Sequence, residues 1–429
     1  MSDHLVIIGA GECGARASLA LREHGHVGQL TLIGEESLDT YERPPLSKAL
    51  LIGTGRNGDS SNGDGTGTGT GPDTAVSTHQ LDAAGIDFRR GRRAASIQRT
   101  EQVVTLDNGD QVAYDRLLLA TGARARKLSL PGGERARTLR TFDEALAIRD
   151  QLVRGARVVV IGGGFIGLEV AAAARTRGCE VTVLELAPRI LGRAVPAPIA
   201  HVIAARHAAE GVSIICDVRL FALVEAPSGT NVVLDDGTTF EADIVVAGVG
   251  SVPNTELAEA AGLTIANGIS VDEQLRTDDL AIFAAGDCCS FPHRLFGGAR
   301  IRLEAWRNAL DQAVVAARNM LGASIASESV PWFWSDQYEL GLQIAGLPDP
   351  SNREVVRHRS DGADLLFGLD DTGRIVSAAG VAPGTLIARD IRIAELLIAR
   401  KATPDVDALC DPSIPMKQLL ESTIAEGQP

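Results

Sequence analysis

Short, wholly apolar runs, each followed by a glycine turn and a helix-periodic stretch, set the pattern of this chain. Leu5-Val6-Ile7-Ile8 is a run of strand length, a glycine turn follows, and Ala15 to Glu23 reads as a helix before the strand Leu30-Thr31-Leu32-Ile33. This is a β-turn-α-β unit with parallel strands. The pattern recurs with Arg157-Val158-Val159-Val160-Ile161 as strand, Phe165 to Arg177 as helix and Val181-Thr182-Val183-Leu184 as strand. Two copies about 150 residues apart make an internal repeat of a whole nucleotide-binding unit.

Between the copies lies a low-complexity stretch, Gly53 to Gly71, rich in Gly, Thr, Ser, Asn and Asp. It holds too little apolar surface to order itself, so a mobile surface loop is expected. Hairpin signals follow each unit: Val103 to Leu106 before Asp107-Asn108-Gly109, and Val232 to Leu234 before Asp235-Asp236-Gly237. Beyond residue 327 the character changes. Trp332-Phe333-Trp334 gathers three of the thirteen Trp and Phe residues, and strand-like segments with a helix over Ala388 to Lys401 predict an α+β region.

The 429 residues exceed one domain, and 45% hydrophobic with 22% charged residues is ordinary globular material. A net charge of −14 argues against a nucleic-acid binder, while leaving room for a local basic patch facing an acidic partner. Six cysteines without C-x-x-C spacing fit a reducing compartment rather than a disulfide scaffold. Met1-Ser2-Asp3-His4 runs straight into a strand, so no signal peptide and a cytoplasmic setting are expected. The most apolar window, Val158 to Ala174, contains glycines and Glu169 and falls short of a membrane span, so no membrane partner is expected. The histidines show no zinc-like spacing; His201 and His207, six apart, fall on different helical faces, so no metal is expected. Neither a P-loop nor a Gly-x-Ser-x-Gly elbow is present.

The two turns carry the chemistry. Gly9-Ala10-Gly11-Glu12-Cys13-Gly14 is G-x-G-x-x-G at a strand–helix junction. Gly9, Gly11 and Gly14 permit a tight turn, close approach of backbone to a pyrophosphate and close helix packing, with the helix N-terminus aimed at the phosphates. Glu35, 26 residues after Gly9, ends the next strand where a carboxylate can bind ribose hydroxyls. Gly162-Gly163-Gly164-Phe165-Ile166-Gly167 repeats this grammar, with Glu185 23 residues on. A carboxylate there accepts from a ribose 2′-hydroxyl and repels a 2′-phosphate, which favours NADH over NADPH, with Arg189 and Arg193 near enough to soften the preference. Two such sites need two dinucleotides, and a hydride carrier with a flavin is the simplest pairing.

Further stretches resemble a known family. Leu119-Ala120-Thr121-Gly122-Ala123 and Ile282-Phe283-Ala284-Ala285-Gly286-Asp287 look like the Ala-Thr-Gly and Gly-Asp motifs of two-dinucleotide-binding flavoproteins. Tyr41-Glu42-Arg43-Pro44-Pro45-Leu46-Ser47-Lys48 and Pro331-Trp332-Phe333-Trp334-Ser335-Asp336-Gln337-Tyr338 resemble the NADH:ferredoxin reductases of bacterial monooxygenase and dioxygenase systems, together with rubredoxin reductases and apoptosis-inducing-factor-like flavoproteins. Gly250 to Thr255 and Arg302 to Ala309 fit the same family, so the resemblance spans nearly the whole chain. It implies FAD held by the first turn, Thr121, Gly122, Arg43, Lys48 and Asp287, with Trp334 beside the flavin. It implies NADH held by Gly162, Gly164, Phe165, Ile166, Gly167, Glu185 and Gly250, with Glu169 facing the nicotinamide and able to pair with Lys48.

Lys48 and Glu169 are thus the expected catalytic residues, and a 2Fe–2S ferredoxin or a rubredoxin the expected electron acceptor. Disulfide reductases, NADH peroxidases and NADH oxidases of this fold class use a redox cysteine after the first unit, yet no cysteine stands between Glu36 and Gly178. A redox-sensing NADH-binding module is the other alternative. The expected fold is α/β: two Rossmann-like dinucleotide-binding domains in a glutathione-reductase-like plan plus a C-terminal α+β domain. Their expected bounds are 1–119 and 248–326 for FAD, 120–247 for NADH and 327–429 for the C-terminal domain. Arg300, Arg302, Arg307 and Arg318 are candidates for a positive docking patch.

Overall fold

A computed structural model of the chain describes residues 3–53, 72–193 and 195–425. The Gly/Thr-rich segment, expected to be a mobile loop, therefore lies outside the described residues beyond Gly53. The chain divides into two compact units. The first comprises Met1–Glu42, Asp73–Arg124 and Val252–Pro331; the second comprises Arg43–Pro72, Ala125–Ser251 and Trp332–Pro429.

In the first unit the apolar runs become a parallel sheet in the order Ile282–Ala284, Arg116–Leu119, Leu5–Ile8, Leu30–Gly34, Asp87–Arg90. Leu5–Ile8 is central and buried at every position, which is why it shows no polar alternation. The helix Glu12–Glu23 leaves its C-terminal end and packs against Trp306–Met320. The expected hairpin joins Val103–Leu106 to Gln111–Ala113, with the Gly109 N–H donating to the Leu106 carbonyl at 3.0 Å.

In the second unit the repeat forms a parallel sheet in the order Ser213–Ile215, Glu180–Leu184, Arg157–Ile161, Ile244–Ala247. The helix Phe165–Thr176 follows its glycine turn. The second hairpin lies in an antiparallel sheet of Leu220–Ala226, Gly229–Leu234 and Thr239–Ala242. The C-terminal region is a five-stranded antiparallel sheet, ordered Trp332–Gln337, Leu340–Gly346, Ile375–Pro383, Asp364–Leu369, Arg353–His358, with the helix Ala388–Ala399 against it.

Leu340, Leu342 and Ile344 alternate onto one face of that sheet, as strand geometry requires. They share a core with Leu168 of the nucleotide-unit helix and with Ile199 and Ile203 of the helix Ala197–Ala209. This common core fixes the strand Trp332–Gln337 against the helix carrying Glu169. Among the described residues no helix is long and apolar enough to cross a membrane.

Leu342 is fully buried in this core. Leu342→Ala should lower the unfolding free energy of the second unit by about 2–5 kcal/mol. Urea unfolding followed by tryptophan emission, which reports on the adjoining strand through Trp332 and Trp334, measures it.

Candidate functional site

The first turn is closed where it touches protein and open where a phosphate would lie. Gly9 sits at φ +111°, and a side-chain carbon there would come within 2.1 Å of the Ala120 carbonyl oxygen. At Gly14 it would come within 1.8 Å of the Gly9 carbonyl, while at Gly11 it would meet nothing within 4 Å. Gly11 is also the N-cap of Glu12–Glu23, so it brings no side-chain acceptor to the first-turn N–H groups. Closed outer glycines with an open middle one are what a dinucleotide pyrophosphate requires.

Around this turn the other motifs of the first unit interlock. The Thr121 hydroxyl donates to the Asn254 carbonyl at 2.7 Å, and the Asn254 side-chain amide donates to the Thr121 carbonyl at 2.8 Å. Gly286, next to Asp287, donates its N–H to Gln312 Oε1 at 2.8 Å. The other amide atom, Gln312 Nε2, is buried and has no protein acceptor among the described residues, which fits a polar group of a bound ligand beside the Gly-Asp motif. Gln312 was not anticipated from the sequence.

The second turn repeats the construction. A side-chain carbon would lie 2.5 Å from the Gly248 carbonyl at Gly162 and 2.0 Å from the Gly162 carbonyl at Gly167, but no closer than 3.9 Å to any atom at Gly164. Phe165 and Ile166 open the helix that follows, and Ile166 is exposed. Gly250 lies at φ +99° with open space around it.

The two strand-end acids, however, are not equivalent. Ile33 and Leu184 occupy matching positions, since each accepts from the first glycine of its turn, Gly9 and Gly162, at 2.8 Å. Glu185 follows Leu184 directly, whereas Gly34 follows Ile33 and Glu35 comes one residue later. Glu185 accepts from the backbone N–H groups of Gly163 at 2.6 Å and Ala187 at 2.8 Å, so its carboxylate is fixed at the turn. Glu35 is exposed and lies 3.9 Å from Arg93. Gly34 takes the small-residue position because a side-chain carbon there would lie 2.7 Å from Ala10 Cβ.

The densest chemistry of the second unit surrounds Glu169. This carboxylate sits on an alanine-rich helix and is only 3% exposed. Lys48 Nζ lies 2.9 Å from its Oε1. The Ser335 hydroxyl donates to the same oxygen at 2.6 Å, and the Ser47 hydroxyl donates to Oε2. A buried carboxylate is tolerable only with such donors around it. Ser47 and Lys48 come from the single 3-10 turn Pro44–Ser47 and its end, whose consecutive prolines preset the backbone. Lys48 Nζ also lies 5.8 Å from the Trp334 ring, which stacks on Trp332 with centroids 5.2 Å apart. Arg43 donates to the Arg140 carbonyl at 2.5 Å. The structure thus brings Lys48, Glu169 and Trp334 together within the second unit, and adds Ser47 and Ser335, to which the sequence reading assigned no role.

All six cysteines are free thiols. Cys13, Cys288 and Cys289 are fully enclosed, and burial pushes their thiols up, Cys13 and Cys289 furthest. Of the arginines expected to form a docking patch, Arg302 is paired with Glu304 and only 12% exposed, and Arg300 donates to the carbonyls of Val271 and Ser290. Both guanidinium groups are committed within the chain, which weakens the patch; Arg318 is exposed.

Residues 3–316 match the model of the pyridine nucleotide-disulphide oxidoreductases, and residues 332–420 match the reductase C-terminal domain. The ferredoxin–NAD(+) reductase component of an anthranilate 1,2-dioxygenase system from Burkholderia cepacia is 43% identical, covering 98% of this chain and 100% of that protein. A rubredoxin–NAD(+) reductase from Pseudomonas putida is 37% identical over 84% of this chain and 91% of its own. Among solved structures, the reductase in a covalent putidaredoxin reductase–putidaredoxin complex superimposes with a TM-score of 0.89 at 33% identity, covering 99% of both chains.

The ion pair can be tested by its cost. Lys48→Met removes the ammonium paired with Glu169 and should destabilise the protein by about 1–3 kcal/mol. That is less than the ~3–5 kcal/mol of a fully buried pair, because Lys48 reaches solvent in part. Urea titration of the variant against the parent chain gives the difference, and an unchanged midpoint would show that the hydroxyls alone sustain the carboxylate.

Proposed function

The chain belongs to the pyridine nucleotide-disulphide oxidoreductase family, and from that premise we propose that it is an FAD-dependent NADH:ferredoxin oxidoreductase serving an oxygenase system. The observation that carries the reading is what lies at Glu169: an ammonium and two hydroxyls, with no thiol. A disulfide reductase, peroxidase or oxidase working through a cysteine needs a reactive sulfur, whereas the buried cysteines Cys13, Cys179, Cys288 and Cys289 are free thiols whose ionisation burial opposes.

FAD is assigned to residues 1–119 and 248–326, NADH to 120–247, and acceptor docking in part to 327–429. Gly9, Gly11 and Gly14 cradle the FAD pyrophosphate, Glu35 serves its ribose, and Thr121, Gly122 and Asp287 line the remainder, with Arg43, Lys48 and Trp334 toward the flavin. Gly162, Gly164 and Gly167, with Phe165 and Ile166, receive the NADH pyrophosphate beside Gly250, and Glu185 takes the adenosine ribose. FAD held there would supply two-electron acceptance of a hydride from NADH and one-electron release to the acceptor. Glu169 orients the nicotinamide, and Lys48, held by Glu169 and close to Trp334, places positive charge toward the flavin. No residue of the chain forms a covalent bond in this scheme. The acceptor is a small acidic iron–sulfur protein, a 2Fe–2S ferredoxin or a rubredoxin, in the cytoplasm.

NADH-driven reduction of cytochrome c by the purified protein, with and without a 2Fe–2S ferredoxin, tests the reading. Ferredoxin should raise the rate strongly, and NADPH should be roughly tenfold or more poorer than NADH, because Glu185 opposes a 2′-phosphate. Glu185→Ala should narrow that gap mainly by losing NADH affinity. Flavin bleaching by NADH with no response to ferredoxin, but a response to rubredoxin, would move the acceptor assignment while leaving the hydride half intact.

A further inference from the structure

The Lys48–Glu169 pair is the near end of a longer buried chain within the second unit. Ser335, whose hydroxyl donates to Glu169, itself accepts from Gln337 Nε2 at 3.0 Å. Gln337 Oε1 lies 2.8 Å from Nε2 of His207, and the Tyr338 hydroxyl lies 3.5 Å from Nδ1 of the same ring. Ser335 and His207 are fully buried, and Gln337 is 2% exposed. Ser335 and Gln337 stand two apart on one strand and so project from the same face.

The polarity of the chain follows from its atoms. Gln337 Oε1 can only accept, so His207 carries its proton on Nε2 and leaves Nδ1 to accept from Tyr338. Tyr338, His207, Gln337 and Ser335 then all donate in one direction, toward the Glu169 carboxylate. Bonds aligned in this way polarise one another. An amide in the middle rules out simple proton conduction, since its acceptor and donor are different atoms; what the chain supplies is orientation. Burial lowers the His207 pKa, keeping the ring neutral as this arrangement requires. The far end is held under strain. Tyr338 turns the hairpin at φ 56°, a region unfavourable to a bulky residue, with its ring edge-on to His207 at 5.1 Å and beneath the Arg206 guanidinium at 4.6 Å.

We propose that Gln337, fixed by His207, is a positioning residue for NADH oxidation that aims the Glu169 carboxylate through the Ser335 hydroxyl. This rests on the reading that Glu169 serves the nicotinamide.

The test is a double-mutant cycle on the FAD-loaded protein, read by stopped-flow bleaching of the flavin at saturating NADH. Gln337→Met keeps length and apolar bulk but removes both hydrogen bonds. It should slow bleaching about five- to tenfold with the apparent NADH dissociation constant changed by less than about twofold. In a Glu169→Gln background the same substitution should add less than about twofold. Slowing by equal factors in both backgrounds, or none in a variant with parental FAD content and melting temperature, overturns the proposal. If Gln337→Met does not retain FAD, Ser335→Ala enters the same cycle with the same expectations. Bleaching that is unaffected by Glu169→Gln alone would instead remove the role given to Glu169. A readout independent of turnover is the 15N-histidine NMR spectrum of the oxidised protein, with His207 assigned from its loss in His207→Phe. Its Nε2–H resonance should shift on Glu169→Gln, and an unmoved resonance would show that the chain does not connect the two residues.

Discussion

A buried carboxylate governs the second unit. Glu169 is 3% exposed on an alanine-rich helix, between Leu168 and Val170. An ionised group so placed costs several kcal/mol in lost hydration. Its attraction to Lys48 at 2.9 Å returns about 4–6 kcal/mol at an effective dielectric constant near 20. The two terms nearly cancel, so the hydroxyls of Ser47 and Ser335 decide whether the charge is tolerable. Three segments distant in sequence must therefore converge: the turn at 44–48, the helix Phe165–Thr176 and the strand Trp332–Gln337. That requirement makes sense of a compact unit assembled from Arg43–Pro72, Ala125–Ser251 and Trp332–Pro429, with the shared core of Leu168, Ile203 and Leu342 holding the strand in place. A pair that adds so little net stability is better understood as chemistry than as scaffolding.

What could be read from the chain alone follows the range of the forces involved. Strand runs and glycine turns are local, and Leu5–Ile8, Arg157–Ile161 and both hairpins lie where hydrophobic pattern and turn chemistry place them. The helix Glu12–Glu23 begins earlier than periodicity suggested, because Gly11 caps it within the turn itself. The pairing of Lys48 with Glu169 was legible only through resemblance, being separated by more than a hundred residues. Ser47, Ser335, Gln337, Gln312 and His207 carried no local signal, since a serine or glutamine in a strand or turn looks like surface until its partner is known. A weak clue did exist in Ser335-Asp336-Gln337, where two polar residues alternate onto one face of a strand. Arg302 failed as an exposed cation for the opposite reason: Glu304, two residues on, takes up its guanidinium.

The repeat shows how one physical solution diverges. Both turns close their outer glycines against backbone carbonyls and leave the middle one open, so both are shaped for a pyrophosphate. Counting residues from turn to acid suggested that Glu35 and Glu185 were counterparts. Register shows a difference, because Gly34 stands at the position that matches Glu185, so Glu35 lies one residue further on and is exposed, while Glu185 is clasped by two backbone N–H groups. One residue of offset along a strand end reverses the direction of a side chain. The second turn therefore has a preset carboxylate and the first an exposed one, which suits one nucleotide selected by its ribose and another held by contacts spread over several motifs.

The distribution of sulfur and charge completes the logic of the family assignment. Thiol-based members of a disulfide oxidoreductase family need a sulfur that ionises readily, and so a partly exposed, electropositive surrounding. Here the positive charge lies at Lys48, where no cysteine stands nearby in sequence, while burial opposes ionisation of Cys13, Cys288 and Cys289 in the first unit and of Cys179 in the second. Electrons entering such a protein have no protein disulfide to rest on. The relatives this chain resembles are ferredoxin and rubredoxin reductases, and for such proteins the acceptor-facing surface, rather than a reactive side chain, is the feature that distinguishes one from another.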